Sequence, residues 1–237
     1  MDSCVGANAI VHYAAFQLAR HSSLPCNNFA SSARSYMASW LGPAVIQTQG
    51  ENAMSPLQTA ETRKDELVAR CLPFLQEVRD MTTDSDVEQW LNTKYGLDST
   101  LYKDLARLIR LGVQEGWAAD VEISGPRYRR ARLVEPCPET FYFSITAVLM
   151  DSTGNDQTNP EGSLRGDYHA HPYGEFNMVV PLDEGAALNG PNGWCYGGWT
   201  APAPGSHHYP EAKGGAVIAL FFLPAGRIAY DIEPPRQ

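Results

Sequence analysis

Gly166-Asp167-Tyr168-His169-Ala170-His171-Pro172-Tyr173-Gly174-Glu175-Phe176-Asn177 is the stretch on which the fold and the chemistry turn. On a strand, residues two apart point to the same side, so His169 and His171 can present both imidazoles to one cavity. The Pro-Tyr-Gly turn then returns a carboxylate, Glu175, to the same point from the next strand. Two neutral ring nitrogens and a carboxylate oxygen are what a borderline divalent metal needs, with positions left open for substrate or water. A lone histidine is usually a loop cap, but four of the chain's six histidines fall in this region and the next one described.

Downstream, Gly198-Trp199-Thr200-Ala201-Pro202-Ala203-Pro204-Gly205-Ser206-His207-His208 is a Gly/Pro-rich turn that delivers a histidine pair. One of the two, His207 or His208, is expected to be a further metal ligand. Around these motifs the apolar residues alternate. Val121 to Ser124, Tyr128 to Val134, Phe141 to Met150, Phe176 to Leu182, Val217 to Leu223 and Arg227 to Ile232 read as strands separated by Gly, Pro and Asn clusters. Short strands at this spacing predict a mainly β fold, an antiparallel barrel or sandwich over residues 119–237, and not a parallel sheet with crossover helices.

Ahead of the barrel, residues 55–118 change to helical period. Leu67, Val68, Cys71, Leu72, Leu75 and Val78 recur at three- and four-residue spacing, with a kink or a break expected at Pro73. Asp84 or Ser85 can cap a second helix ending near Gly96, and Asp98 or Ser99 a third that stops at Gly116. Residues 1–54 are rich in Ala, Ser and Asn and poor in acids, which reads as a flexible or targeting-like extension.

The 237 residues carry a formal net charge of −9, which argues against a nucleic-acid binder because little would drive counterion release. No apolar run approaches the length of a membrane span, so no membrane partner is expected. The five cysteines are widely spaced with no CxxC pair, as free thiols in a reducing, cytoplasmic setting would be. No G-x-G-x-x-G or P-loop stretch is present, so no nucleotide cofactor is expected. The expected cofactor is a divalent metal ion; imidazole and carboxylate ligands suit Fe, Mn, Zn, Ni and Cu alike.

The two histidine segments resemble the cupin superfamily, whose first motif reads G-x5-H-x-H-x3,4-E-x6-G. His169, His171 and Glu175 match it, and His208 falls at the histidine of the second motif. The glycine after Glu175 comes late, at Gly185, and Ala212 stands where the second motif has asparagine. A closer likeness runs through His-Ala-His-Pro-Tyr-Gly-Glu-Phe-Asn-Met-Val-Val-Pro-Leu, Gly190 to Cys195, Ser206 to Pro210 and Phe221 to Ile228. In these stretches the chain resembles the bacterial 4-hydroxylaminobenzoate lyase family, and the likeness extends back to about Leu57.

The resemblance implies a cupin-like jelly roll and conversion of 4-hydroxylaminobenzoate to 3,4-dihydroxybenzoate and ammonia. It further implies a metal held by His169, His171, Glu175 and His208, and an acid or base drawn from His207, Tyr173 and Glu175. A small aromatic carboxylate would need a cation, for which Arg165 and the cluster Arg127, Arg129, Arg130 and Arg132 are candidates, Arg130 foremost in that cluster. Trp199 is a candidate wall for the ring, and a homodimer is expected from exposed strand edges. Two other functions share the ligand pattern: a metal-dependent dioxygenase on a small aromatic substrate, and a ligand-sensing cupin module.

Overall fold

Helix α1 (Pro56–Val78) buries one stripe, Leu67, Val68, Cys71, Phe74, Leu75 and Val78, as its periodicity predicts. This computed structural model describes residues 56–154 and 162–234, so the expectations for residues 1–54 lie outside the described residues. The helix does not break at Pro73 but runs through it. Pro73 lies on the exposed side, where the carbonyl deprived of its partner can meet water, while Cys71, Phe74 and Leu75 hold both halves against the same core. In α2 (Ser85–Lys94) the Asp84 carboxylate accepts from the Val87 N–H at 2.8 Å; in α3 (Thr100–Glu115) the Ser99 hydroxyl accepts from Tyr102 at 3.1 Å. Gly116, at φ +83°, closes α3 with the left-handed turn that only glycine adopts freely. Among the described residues no helix is long and apolar enough to cross a membrane.

The remainder is antiparallel β structure in two sheets and a ribbon. Strands β1 (Val121–Glu122), β2 (Tyr128–Val134), β3 (Phe143–Asp151), β6 (Phe176–Pro181), β9 (Gly198–Thr200) and β12 (Ala216–Pro224) form a six-stranded sheet in the order β1-β2-β3-β12-β6-β9. The smaller sheet runs β4-β11-β7-β8, from Ser163–Arg165, Glu211–Lys213, Ala187–Gly190 and Gly193–Cys195. Strands β5 (His169–Ala170) and β10 (His207–His208) pair with each other alone. This is the mainly β, antiparallel architecture that the strand pattern predicts, and its two facing sheets suit the cupin-like barrel that the resemblance implies.

Six short strands, β4, β7, β8, β9, β10 and β11, were not expected from the sequence. Each has only two to four residues, too few for a period to register. The strand expected at Arg227 to Ile232 does not form; the segment keeps one bridge, Ala170 to Ala229, with backbone bonds of 2.8 and 3.0 Å. Its only partner, β5, is two residues long and is followed by a turn opening at Pro172, so there is no ladder to extend.

Alternation divides the large sheet into two faces. Ile145, Ala147, Leu149, Phe176, Met178, Val180, Ile218, Leu220 and Phe222 meet the helices in one apolar core. Phe74 from α1 anchors it, with its ring 4.8 Å from Trp199, 5.1 Å from Phe222 and 6.2 Å from Phe176. The opposite face turns inward to the smaller sheet, where Tyr128, Val148, Met150, Leu164, Val179, Leu188 and Ala219 fill one end. The other end of that interior holds the histidines.

Candidate metal centre

Register brings the two histidine segments together. His208 on β10 lies directly opposite His169 on β5, and His171 follows one alternation later. The loops beyond are tied by backbone bonds: His171 N–H to Ser206 O at 2.9 Å, Gly205 N–H to His171 O at 2.8 Å, and Glu175 N–H to Pro202 O at 3.1 Å. Gly174 lets Glu175 turn back. It has φ +72°, and a Cβ there would lie 2.0 Å from Thr83 Oγ1 and 2.9 Å from the Pro202 carbonyl. The Thr83 hydroxyl itself donates to that carbonyl at 2.7 Å, so the α1–α2 loop braces the turn.

The ring centroids of His169, His171 and His208 lie 4.9 to 5.0 Å apart. One ligand nitrogen from each fits within a 4.8 Å limit of the others. The tautomers follow from the hydrogen bonds. His169 Nδ1–H donates to the Asp167 carbonyl at 3.0 Å, which leaves Nε2 as a lone pair. Ser206 uses its hydroxyl hydrogen on the Ala203 carbonyl at 2.6 Å, so it can only accept from His171 Nδ1–H at 2.9 Å. His171 Nε2 is therefore a lone pair too. These two lone pairs face each other at 3.1 Å, with Glu175 Oε1 3.3 Å from His171 Nε2.

Glu175 is 2% exposed; Oε1 accepts from the Asn177 amide at 2.7 Å, and Oε2 is buried with no hydrogen-bond partner. Acceptors converging with no hydrogen between them need a cation there, so the residues fit a divalent metal. Burial presses the imidazoles toward the neutral form that a metal requires. It lowers His171 to about 4 and His208 to about 3, and lowers His169 against the pull of the Glu175 carboxylate. Burial raises Glu175, although the Asn177 hydrogen bond opposes it. A small cavity beside these groups is lined by His169, Glu175, Asn177, Thr200, His208 and Phe221, among others.

A matching family model, described as PnbB, 4-hydroxylaminobenzoate lyase, spans residues 69–230. The 4-hydroxylaminobenzoate lyase of Pseudomonas putida is 62% identical over 171 residues, 72% of this chain and 97% of the relative. The chain belongs to the 4-hydroxylaminobenzoate lyase family. The enzyme of the same name from Nocardioides sp. (strain LMS-CY) is 59% identical over 172 residues, 73% of this chain and 97% of that one. As a member of this family the chain is a lyase. Solved structures match only loosely. A structure reported with the DMSP lyases RdDddP and RnDddQII shares 15% identity at TM-score 0.37, covering 75% of this chain and all of that one. A double-stranded β-helix protein from Klebsiella pneumoniae shares 12% identity at TM-score 0.25, covering 46% of this chain and 84% of that one.

Within this lyase the expected site residues divide. His169, His171 and His208 gather within ligand reach of one another, and Glu175 Oε1 lies 3.3 Å from His171 Nε2. His207 is turned to the other side of β10, where its Nδ1 bonds the Tyr168 hydroxyl. Tyr173 is exposed at the tip of the turn. Arg165 is bound to Glu211 and lies over the Tyr209 ring on the smaller sheet. The structure does not bring Trp199 to the cavity: it is 1% exposed in the helix-side core, and its indole N–H donates to the Tyr95 carbonyl at 2.6 Å. Strand alternation puts Trp199 opposite the cavity-lining Thr200, so it cannot wall the ring slot. Of the arginine cluster, Arg130 and Arg132 share the cavity-side face of β2 with Tyr128.

Sequence reasoning missed Asn177, Ser206 and the Asp167 carbonyl. Asn177 was legible in principle, two residues after Glu175 on a strand and so on its side. Ser206 and Asp167 act through loop geometry that carries no spacing signal.

Proposed function

We propose that this lyase converts 4-hydroxylaminobenzoate and water to 3,4-dihydroxybenzoate and ammonia, at a divalent metal held by His169, His171, His208 and Glu175. The observation that carries the metal is the meeting of His169 Nε2 and His171 Nε2 as two lone pairs at 3.1 Å beside a buried, unpartnered carboxylate oxygen. When bound, the metal supplies Lewis-acid chemistry, polarising the hydroxylamino oxygen or a water.

The reaction is redox-neutral. The N–O bond breaks, an oxygen is delivered to the neighbouring ring carbon, and nitrogen leaves as ammonia, with one water consumed overall. The chain must deliver a proton to the departing oxygen. His207 is the proposed donor, with Tyr173 the alternative. His207 is held by the Tyr168 hydroxyl on the side of β10 away from the ligands, so it would reach the departing oxygen through the substrate or an intervening water. Glu175 completes the ligand set with Oε2, held in place by Asn177. Arg130 adds positive charge on the cavity-side face of β2. The free thiols Cys71, Cys137 and Cys195 suit a cytoplasmic enzyme, and the short edge strand β1, with Val121 exposed, suits a homodimer contact.

Anaerobic incubation with 4-hydroxylaminobenzoate, with and without prior metal stripping, tests the reading. Stoichiometric 3,4-dihydroxybenzoate and ammonia without oxygen, lost on stripping and restored by metal, is the expected result. Product only in air would favour a dioxygenase, and full activity after stripping would remove the metal from the mechanism.

A further inference from the structure

The cavity-side face of the large sheet carries more unpartnered polarity than the metal explains. Among the described residues, Ser144 Oγ, Thr146 Oγ1, Asn177 Oδ1 and Glu175 Oε2 are all buried without a hydrogen-bond partner, and all four lie on this face. Ser144 is fully buried, Asn177 is 3% exposed and Thr146 is 6% exposed. Orphaned buried hydroxyls and amides are costly, and so many on one face point to a ligand that pairs them.

Register orders them. Arg132 on β2, Thr146 on β3, Phe221 on β12, Asn177 on β6 and Thr200 on β9 form one row across the sheet, and Ser144 lies in the adjoining row, across from Leu223. Thr146 and Asn177 are therefore two strands apart, about 9.6 Å at the usual strand spacing, with the Phe221 ring between them. That is comparable to the length of a para-substituted benzoate.

The two ends of the row differ in hydrogen-bonding sense. At the metal end both amide hydrogens of Asn177 are committed, to Glu175 Oε1 at 2.7 Å and Thr200 Oγ1 at 3.2 Å, so its free atom is an acceptor. A carboxylate would be repelled there, whereas a hydroxylamino group has N–H and O–H to give. At the far end stand two free hydroxyls and a guanidinium, all donors. Arg132 is only loosely engaged, with Nη1 3.6 Å from Glu135 Oε2. The register shift between Arg132 and Val134 re-aims the strand at this point, and a Cβ at Gly226 would lie 3.1 Å from Arg132 Nη1.

We infer that Ser144, Thr146 and Arg132 form the seat of the substrate's carboxylate, with the ring across Phe221 and the hydroxylamino group against Asn177 Oδ1. This rests on the lyase reading above. The seat explains why the substrate is a benzoate: the carboxylate pairs groups that an uncharged ring would leave unpaired.

The test uses metal-loaded enzyme and two pairs of probes, each pair differing only by the carboxylate. For turnover these are 4-hydroxylaminobenzoate and N-phenylhydroxylamine; for binding, by calorimetry, 4-aminobenzoate and aniline. Thr146→Val, which keeps the shape, and Arg132→Leu should each weaken 4-aminobenzoate binding and lower kcat/KM for 4-hydroxylaminobenzoate by about 10- to 100-fold. Both should leave metal content and the carboxylate-free probes unchanged, and Arg132→Lys should recover part of the loss. Equal losses for both members of a pair, or no loss for either, would overturn the seat. Failure of the lyase reading is separately visible, as absence of 3,4-dihydroxybenzoate from the wild-type enzyme.

Discussion

The two faces of the six-stranded sheet are built from the same strands yet obey opposite rules. On β3, Ile145, Ala147 and Leu149 face the helices in an apolar core, while Ser144 and Thr146 lie on the opposite face of the sheet with their hydroxyls unpartnered. On β6, Phe176 and Met178 belong to the first face, and Glu175, just before the strand, and Asn177 belong to the second. Among the described residues the helix side is closed by apolar side chains with one buried orphan, Arg129 Nε, whereas the other face collects the unpartnered oxygens. Stability should therefore be concentrated on the helix side and chemistry on the cavity side, and substitutions should separate them.

The largest effect expected is on chemistry. His171→Ala removes one of the two facing lone pairs and should abolish bound metal and turnover together, a fall of about a thousandfold or more in kcat, read by metal analysis beside activity. A variant that stays active without metal would break the division at its centre. On the other face, Phe74→Ala empties the hub of the aromatic cluster and should destabilise by about 3–5 kcal/mol in denaturant titration, while the folded fraction still binds metal. Loss of metal affinity at full stability would show that the helix face also tunes the site.

The contrast also explains what the sequence disclosed. The apolar stripes and the long strands β2, β3, β6 and β12 were legible because each repeats a period over several residues, and each of the last two helices starts at one of its two candidate caps, Asp84 and Ser99. His169, His171 and Glu175 were legible as a candidate site because a strand and turn at that spacing set their side chains on one side. Trp199 was misplaced because an aromatic residue beside a motif does not reveal which side of a three-residue strand it occupies. Of the kink or break expected at Pro73, the break does not occur, because the tertiary core on both sides of it outweighs the lost hydrogen bond. The polar row through Thr146 and Asn177 was illegible because it exists only once strands distant in sequence have paired.

A smaller effect distinguishes the faces by pH. In metal-free protein His171 and His208 have pKa values lowered to about 4 and about 3, so between about pH 6.5 and those values the unfolded chain takes up protons that the folded chain refuses. Their contribution to stability is full above about pH 6.5 and is lost as the pH falls through that window. Glu175, raised by burial, has the opposite sign: its contribution is full below about pH 4.5 and is lost as the pH rises through its folded value. With more imidazoles than carboxylates, the melting temperature of metal-free protein should fall on acidification, more steeply in Glu175→Gln and less steeply in His208→Ala. A melting temperature independent of pH from 7 to 4 would contradict the buried neutral cluster.

The smallest effects test how the two faces are joined. Asn92 on α2 clamps β9, its amide donating to the Trp199 carbonyl at 2.8 Å and its Oδ1 accepting from the Trp199 N–H at 2.9 Å. Glu88 accepts from the Ala201 N–H at 2.9 Å on the same segment, which leads into the loop that carries His208. Asn92→Ala should cost about 1–3 kcal/mol, since it leaves backbone groups of β9 unpaired, and should raise KM modestly through the loosened loop. Asp84→Ala removes only the α2 cap and should cost about 1 kcal/mol with kinetics unchanged. Equal kinetic effects from the two would mean that α2 acts on the cavity as a rigid whole; a kinetic effect from Asn92 alone would locate the coupling in its two bonds to β9.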